Sequence, residues 1–402
     1  MTDQDSEPQG QEVDHLERVA IWGDLDATPI ARREEAEAAT AESPARRIDR
    51  RSLIFKVLLA TLGLWIFLIA LALMKDGARG LAPTLNAAVN TPLNALGLGW
   101  LGALLVLSGS PVAASALALF DGGSLTLEQS YAMIVGSRLG ASFVVLVIGT
   151  IYALRRAQAG RRAPVSIGVL ALTMTFIAYV PGGLLGFGIL ESGVLSGLPL
   201  TPPAAVLDAT KALTAPVVGL VEQVLRPDAP LPAALLFLAG VALLLASFRV
   251  VDAFLPEIVA DRDDERARWY AGPWTMFGIG LATALATLSV SVALSLLVPV
   301  VAKGYVRREQ ILPYIAGANI TTLFDTLVVA VLLGGSQGPD MVISLAAGVT
   351  VWTVLLLVVA YQPMRTAVFR FQALVLHSRA RLVGFVFVLF AIPTAMLLAG
   401  HG

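Results

Sequence analysis

Seven long apolar runs constrain this chain more than any other feature of its sequence. A run of about 18 or more apolar residues marks a helix that crosses the hydrocarbon core of a bilayer. Charged residues make up 14% of the chain, against about 25% in an average soluble domain. The sequence therefore predicts an all-α integral membrane protein, with spans at 53–74, 131–154, 165–189, 233–250, 311–333, 341–361 and 382–399.

Two further regions, 81–120 and 272–302, are apolar but interrupted by Gly, Pro, Ser and Asn. Irregular backbone at membrane depth is tolerated only where protein or a water-filled cavity satisfies its polar groups. We expect each region to form a re-entrant helical hairpin that enters the membrane and returns to the same side.

The basic residues of the chain predict its orientation. Residues 1–50 form an acidic segment with little apolar content, which favours a disordered soluble tail, and the first span follows too late for a cleaved signal peptide. Arg50, Arg51 and Lys56 border that span, so the positive-inside bias places the N-terminus in the cytoplasm. The other basic loops then also fall inside, which puts the C-terminus outside the cell's inner membrane.

An internal repeat relates the two halves of the chain. Glu128 and Gln129 recur 181 residues later as Glu309 and Gln310, and the same offset superposes several polar or small positions without a gap. The first copy begins at the cytoplasmic face and the second at the outer face, so the repeats are inverted, as in many secondary transporters. Chance similarity between apolar segments is the alternative. The offset pairs Ser108 with Ser289, Ser110 with Ser291, and Gly136 with Gly317.

The repeat divides the chain into five predicted regions. Charged side chains of the connector read as part of a solvated amphipathic segment rather than a site; they are Glu191, Asp208, Lys211 and Glu222. The regions are the cytoplasmic tail 1–50, membrane repeat 51–190, outer connector 191–231, membrane repeat 232–362, and a basic loop with a last span at 363–402.

Polar side chains in the broken segments are the candidate site. A break in a helix leaves N–H groups that can bind anions and carbonyl groups that suit sodium. Hydroxyl groups beside the break add further ligands. Small residues that allow close helix packing and threonines that bond their own helix are the alternatives. We expect substrate contacts from Ser108, Ser110, Ser289, Ser291 and Asn319, and cation contacts from Thr321 and Thr322.

Two ionisable residues, Arg138 and Asp325, lie within predicted spans. Such residues are expensive to bury and usually mark a function. Arg138 occupies the position equivalent to Asn319 and could hold an anion bidentately, whereas Asp325 shares a helical face with Thr321 and Thr322 and could coordinate a cation or carry a proton. The alternative is that Arg138 and Asp325 neutralise one another as a structural pair.

The chain resembles bacterial sodium-dependent phosphate symporters of the type II Na/Pi cotransporter family. That family carries Q-S-S-S in each hairpin, then L-E-Q and G-A-N-I-G-T-T; here the segments read "LSGSP", "LTLEQ" and "GSRLGAS", then "LATLSVS", "RREQ" and "GANITT". The resemblance implies sodium-driven phosphate transport by an elevator-like or rocking motion. Leu107 and Leu288 replace the two glutamines, and Arg138 replaces an asparagine, where its fixed charge would stand in for one sodium.

The sequence thus predicts a sodium-coupled symporter of phosphate or a related small anion, in contact with the lipid bilayer and with no nucleic-acid partner. A non-transporting scaffold or regulatory protein of the same fold is the alternative, motivated by the missing glutamines. No enzyme is predicted, because the three histidines lie outside the spans and no metal motif occurs. No cofactor is expected beyond the coupling ion. A homo-oligomer is one option for the assembly.

Overall fold

The structure is a computed structural model that describes residues 50–155, 163–196, 198, 203–225, 229–252, 272–287, 293, 294, 297, 301 and 308–399. The predicted acidic tail, apart from residue 50, falls outside these ranges. So do Ser289 and Ser291, the predicted substrate contacts of the second hairpin.

Every secondary-structure element in the described ranges is an α-helix, which confirms the predicted all-α class. In chain order the helices are α1 Arg50–Ala88, α2 Pro92–Val106, α3 Ser110–Asp121, α4 Leu127–Ala141, α5 Phe143–Arg155, α6 Ala163–Ser192, α7 Ala204–Leu225, α8 Pro230–Asp252, α9 Pro273–Thr287, α10 Arg308–Thr321, α11 Leu323–Leu333, α12 Gln337–Val359, α13 Tyr361–Leu376 and α14 Arg379–Leu398.

Seven helical segments in the described ranges are long and apolar enough to cross a membrane, as the sequence predicted. Large apolar side chains on their outer faces stay exposed, among them Leu184 at 73% and Phe387 at 70%. Such a surface suits lipid rather than water. The segments are Thr61–Pro83, Leu127–Leu154, Pro164–Ser192, Pro230–Ser247, Gln310–Leu333, Gln337–Val359 and Arg379–Leu398.

Helices α2 and α3 form a pair of short apolar helices in the first predicted hairpin region. Thr91 and Asn94 cap the start of α2 with a reciprocal capping box. At the other end Leu107 adopts the left-handed conformation, with φ 58°, and α3 begins three residues later with a proline in its first turn. With 15 and 12 residues, neither helix is long enough to span a bilayer.

The same close helix crossing occurs twice, at positions 181 residues apart. A Cβ on Gly99 would overlap the Met133 carbonyl, and a Cβ on Gly136 would overlap the Leu96 carbonyl, so α2 and α4 are in backbone contact. The crossing of α9 with α10 depends in the same way on Gly280 against Tyr314 and Gly317 against Phe277. Small residues that let helix backbones approach are typical of membrane interfaces.

Two further helix pairs join the first half of the chain to the second. Helix α1 packs along α8, where Gly77 abuts Ala233 and Phe237. Helix α6 packs along α12, where Gly182 and Gly348 bring the two backbones together. The central helices are therefore held by contacts between halves as well as within each half.

The connector between α6 and α8 contains a helix that packs on the rest of the protein. Helix α7 lies along α1, and Trp65 Nε1 donates a 3.1 Å hydrogen bond to the Leu213 carbonyl. Val218 joins a buried cluster with Ile69 and Leu73. The predicted solvated amphipathic segment is thus a helix with one face packed on α1, and its location outside the membrane stays a prediction.

The crossing of α9 with α10 offers a test with a matched control. Gly280→Ala adds a methyl group against the Tyr314 carbonyl, so we expect a loss of about 1–3 kcal/mol in the free energy of unfolding from overpacking. Gly278→Ala adds the same group two residues earlier, where nothing lies within 4 Å, and should be neutral or stabilising by up to about 1 kcal/mol. Unfolding in mixed micelles measures both, and equal effects would contradict the close crossing.

Candidate functional site

Two broken spans converge on a buried polar cluster. One span breaks between α4 and α5 at Ser142, and the other breaks between α10 and α11 at Thr322. A break frees backbone groups from the helical hydrogen-bond ladder. The cluster around these breaks combines side chains from α4, α6, α10 and α11, so it is built by both halves of the chain.

Arg138 is the cationic group of the cluster, and it is only 3% exposed. Its Nη1 donates a 3.1 Å hydrogen bond to the Thr322 carbonyl at the break, and its Nη2 bonds Thr326 Oγ1. A guanidinium offers five N–H donors, so these two contacts leave part of its capacity unused.

Asp325 provides the counter-charge. Its Oδ1 lies 3.7 Å from Arg138 Nη2 and accepts hydrogen bonds from the backbone N–H of Thr326 at 2.5 Å and from the Thr326 hydroxyl at 3.0 Å. The carboxylate is 7% exposed. Removing two opposite charges from water is offset only when they are paired and hydrogen-bonded, and one oxygen of Asp325 meets that condition.

A second group of polar side chains from α6 lies against the same breaks. Tyr179 Oη donates to the Asn319 carbonyl at 2.6 Å and lies 2.8 Å from Thr322 Oγ1. Thr175 Oγ1 lies 2.6 Å from Ser142 Oγ and 3.4 Å from Asn319 Oδ1. These contacts connect the broken helix of each half to α6.

Three buried polar atoms of the cluster have no hydrogen-bond partner within the described part of the chain. They are Arg138 Nε, Asn319 Nδ2 and Asp325 Oδ2. A buried polar group without a partner costs about 1–3 kcal/mol, and each such group in a native protein calls for an explanation. Two of the atoms are donors, which suit an anion, and the third is an acceptor, which suits a cation or a proton.

The break between α2 and α3 reaches the level of this cluster. Gly109 packs against the Ser137 carbonyl and the Ala141 methyl group, which flank Arg138 along α4. Ser110, the first residue of α3, lies close to the Asp325 carboxylate. The N-terminal end of α3 therefore adds the Ser110 hydroxyl beside the Arg138–Asp325 pair.

The structure brings together five of the nine predicted site residues: Ser110, Arg138, Asn319, Thr322 and Asp325. Ser108 is half-buried in the break between α2 and α3. Thr321 turns to another element, because its hydroxyl donates to the Leu281 carbonyl of α9 at 3.1 Å. Ser289 and Ser291 lie outside the described residues, so their roles stay predictions.

Sequence reasoning missed four members of the cluster: Ser142, Thr175, Tyr179 and Thr326. Thr175 and Tyr179 are four residues apart and so share a helical face, which was the available signal within a mostly apolar span. Thr326 follows Asp325 directly, and only the charged residue of the two was considered from the sequence. In the described ranges, no three His, Asp or Glu side chains are grouped as a metal site would require.

A second ionic cluster lies where α1, α3 and α7 meet. Lys75 Nζ lies 2.5 Å from Asp121 Oδ2, and Arg79 Nη1 bonds Asp76 Oδ1 at 3.0 Å. Partial burial raises the pKa of Glu222 above its usual value, and the nearby Asp76 carboxylate is the second-largest cause of this shift. Glu222 was predicted to belong to a solvated segment, and in the structure it instead contacts α1, away from the central cluster.

Comparison of the chain with protein-family models, curated proteins and solved structures finds no match. The functional argument therefore rests on the geometry of the cluster and on the sequence.

The central ion pair predicts a specific pattern of stability. Asp325→Ala leaves the Arg138 charge buried without a partner, which should lower the free energy of unfolding by about 3–5 kcal/mol. Replacing both residues, as Arg138→Met with Asp325→Leu, should restore most of that loss, because apolar pairs of similar volume are tolerated.

Asp340→Ala is the matched control, since Asp340 is a carboxylate in the first turn of α12, outside the cluster, and should cost about 0.5 kcal/mol or less. Unfolding in mixed micelles measures all three proteins. An Asp325→Ala loss no larger than that of the control would contradict the pairing.

Proposed function

We propose that this chain is a secondary active transporter that moves inorganic phosphate or a related small anion across the membrane by alternating access, with sodium as the coupling ion. The observation that carries the proposal is a buried guanidinium with an unpartnered N–H, at the level of the break between α2 and α3. A phosphate oxygen is the partner that an arginine N–H binds best, often through two parallel hydrogen bonds.

The donors around Arg138 are arranged for an anion. Asn319 Nδ2 is buried and has no partner among the described residues, and Ser110 adds a hydroxyl at the N-terminus of α3, a helix end of the kind that often binds phosphate. The protein departs from the resembled family at Leu107, which replaces a glutamine, and at Arg138, which replaces an asparagine. We propose that the guanidinium supplies the donors that these side-chain amides would have provided. A fixed positive charge would then perform part of the work that the family assigns to a sodium ion.

The recurrence of the glycine crossings supports two structurally related halves. The positions that bring α2 against α4 recur 181 residues later between α9 and α10, and the two kinks at Ser142 and Thr322 occur at nearly the same offset. We propose that these halves are inverted repeats with re-entrant hairpins, and that their relative movement exposes the cluster to each side in turn.

The cation side of the proposed site is the break between α10 and α11, where Thr322 is largely buried. Broken helices in transporters present unwound backbone to the coupling ion. Asp325 follows three residues later, as an ionisable side chain suited to carry a proton. Thr321 contributes to packing against α9 in the conformation described here.

A non-transporting membrane scaffold is the second candidate. The specific observation in its favour is that Arg138 and Asp325 already neutralise each other, as a purely structural pair would. The three unpartnered atoms are against it, because a structural cluster has no reason to retain polar groups without partners.

Uptake of radiolabelled phosphate into proteoliposomes tests the proposal. We expect accumulation that depends on an inward sodium gradient. In the charge-neutral double variant Arg138→Gln with Asp325→Asn, uptake should fall by about ten- to hundredfold, because a hydrogen bond to a charged group contributes about 1.5–3 kcal/mol. Ser110→Ala should reduce uptake less, since it removes one neutral hydroxyl.

Ser115→Ala is the control on the same helix, because the Ser115 hydroxyl donates to the Pro111 carbonyl of its own helix. It should transport as the parent does. No phosphate uptake by folded, inserted protein under any cation gradient would favour the scaffold. Uptake that survives the Arg138 and Asp325 double replacement would overturn the site assignment.

A further inference from the structure

Asp325 occupies the position at which a transported anion would bind Arg138. Its carboxylate is the anionic partner of the guanidinium, at 3.7 Å, and the Ser110 hydroxyl at the start of α3 lies close to it. An arginine and a helix N-terminus are both anion-binding elements. In the described state the protein's own carboxylate therefore pairs with the arginine that an incoming anion needs and lies beside the start of α3.

Charge balance limits how an anion can replace this carboxylate. Arg138 and Asp325 sum to no net charge, so a monovalent anion bound to Arg138 would leave a second negative charge in a site that is shielded from water. An uncompensated charge at membrane depth is strongly unfavourable. One positive charge must therefore enter with each anion, or Asp325 must become neutral.

The groups around Asp325 favour a proton over a metal cation. Its Oδ1 already accepts from the Thr326 N–H and the Thr326 hydroxyl, and the Thr322 carbonyl at the break already accepts from Arg138. A sodium ion needs several free oxygen ligands and would be repelled by the guanidinium. A proton needs only one oxygen, and Asp325 Oδ2 is free within the described part of the chain.

We propose that Asp325 is a tethered competitor for the anion site, and that it takes up a proton when the transported anion displaces it from Arg138. The inference rests on the proposed function and adds to it a proton that accompanies the anion, whichever gradient drives transport. Because binding linkage is reciprocal, protonation of Asp325 strengthens anion binding, and the anion strengthens proton binding by the same factor.

Among the described residues, few other charged groups act on Asp325. Arg138 faces it from α4, and Tyr179 from α6 interacts with it. Helix α3 contributes the uncharged Ser110, and α11 itself contributes Thr326. Asp340 of α12 follows the C-terminal end of α11, whereas Asp325 lies in the first turn of α11. The proton linkage is therefore assigned to one carboxyl group.

Titration calorimetry of inorganic phosphate into the full-length protein, in buffers that differ in ionisation enthalpy, counts the protons taken up per bound anion. Asp325→Asn keeps an oxygen that can accept the Thr326 hydrogen bonds but cannot titrate. We expect the parent to take up about one proton more per phosphate than Asp325→Asn. The comparison cancels the titration of phosphate itself, which both proteins share.

The same comparison predicts the pH dependence of affinity. A single linked proton changes the affinity by up to about tenfold per pH unit, so the parent should lose affinity with rising pH relative to Asp325→Asn. Asp340→Asn, the control, should keep the parent's proton count. Asp325→Ser, which also cannot titrate, replaces Asp325→Asn if that variant does not fold.

The outcomes separate this inference from the proposed function. Phosphate binding with equal proton counts in the parent and in Asp325→Asn would overturn the inference and leave the transporter proposal standing. Loss of phosphate binding in both Asp325 variants would also overturn it, because a competitor is dispensable for binding. No phosphate binding by the folded parent at any pH would overturn the proposed function, and the inference with it.

Discussion

The cost of keeping a charged arginine inside a membrane governs the centre of this structure. Arg138 is almost fully buried, and an arginine at such a depth persists only with partners that replace water. Those partners come from the opposite half of the chain: the Thr322 carbonyl, the Thr326 hydroxyl and the Asp325 carboxylate. The break at Thr322 leaves the Thr322 carbonyl available to Arg138. The break in the second half of the chain and the buried charge in the first half therefore depend on each other.

Close backbone contacts provide the frame that holds these partners. Glycines at the crossings of α2 with α4 and of α9 with α10 allow the helix backbones to touch, and contacts of this kind replace the hydrophobic driving force that lipid does not supply. The frame positions polar groups without satisfying all of them. The unpartnered atoms of Arg138, Asn319 and Asp325 are the ones that the proposed anion and proton would contact.

The sequence predicted the seven spans, because the length of an apolar run is a local property of the chain. Arg138 and Asp325 could also be found, since an ionisable residue within an apolar run needs no structure to be noticed. The sequence did not decide whether Arg138 and Asp325, which are 187 residues apart, form a pair. Periodicity relates the residues of one helix to each other and does not show which other helices pack against it. Tyr179 and Thr175 were missed for the same reason. The hydroxyl of Thr321 donates to the Leu281 carbonyl of α9, and its predicted cation contact stays a prediction.

The claim that Arg138 binds the transported anion is tested most directly by locating an anion in crystals of the full-length protein. Arsenate is a phosphate analogue whose heavy atom scatters anomalously, so its position can be identified without interpreting weak density. The account predicts an arsenic peak whose oxygens lie about 2.7–2.9 Å from Arg138 Nε, with the Asp325 carboxylate moved away from the guanidinium. An arsenic peak elsewhere in the protein, with the Arg138–Asp325 pair unchanged, would contradict it.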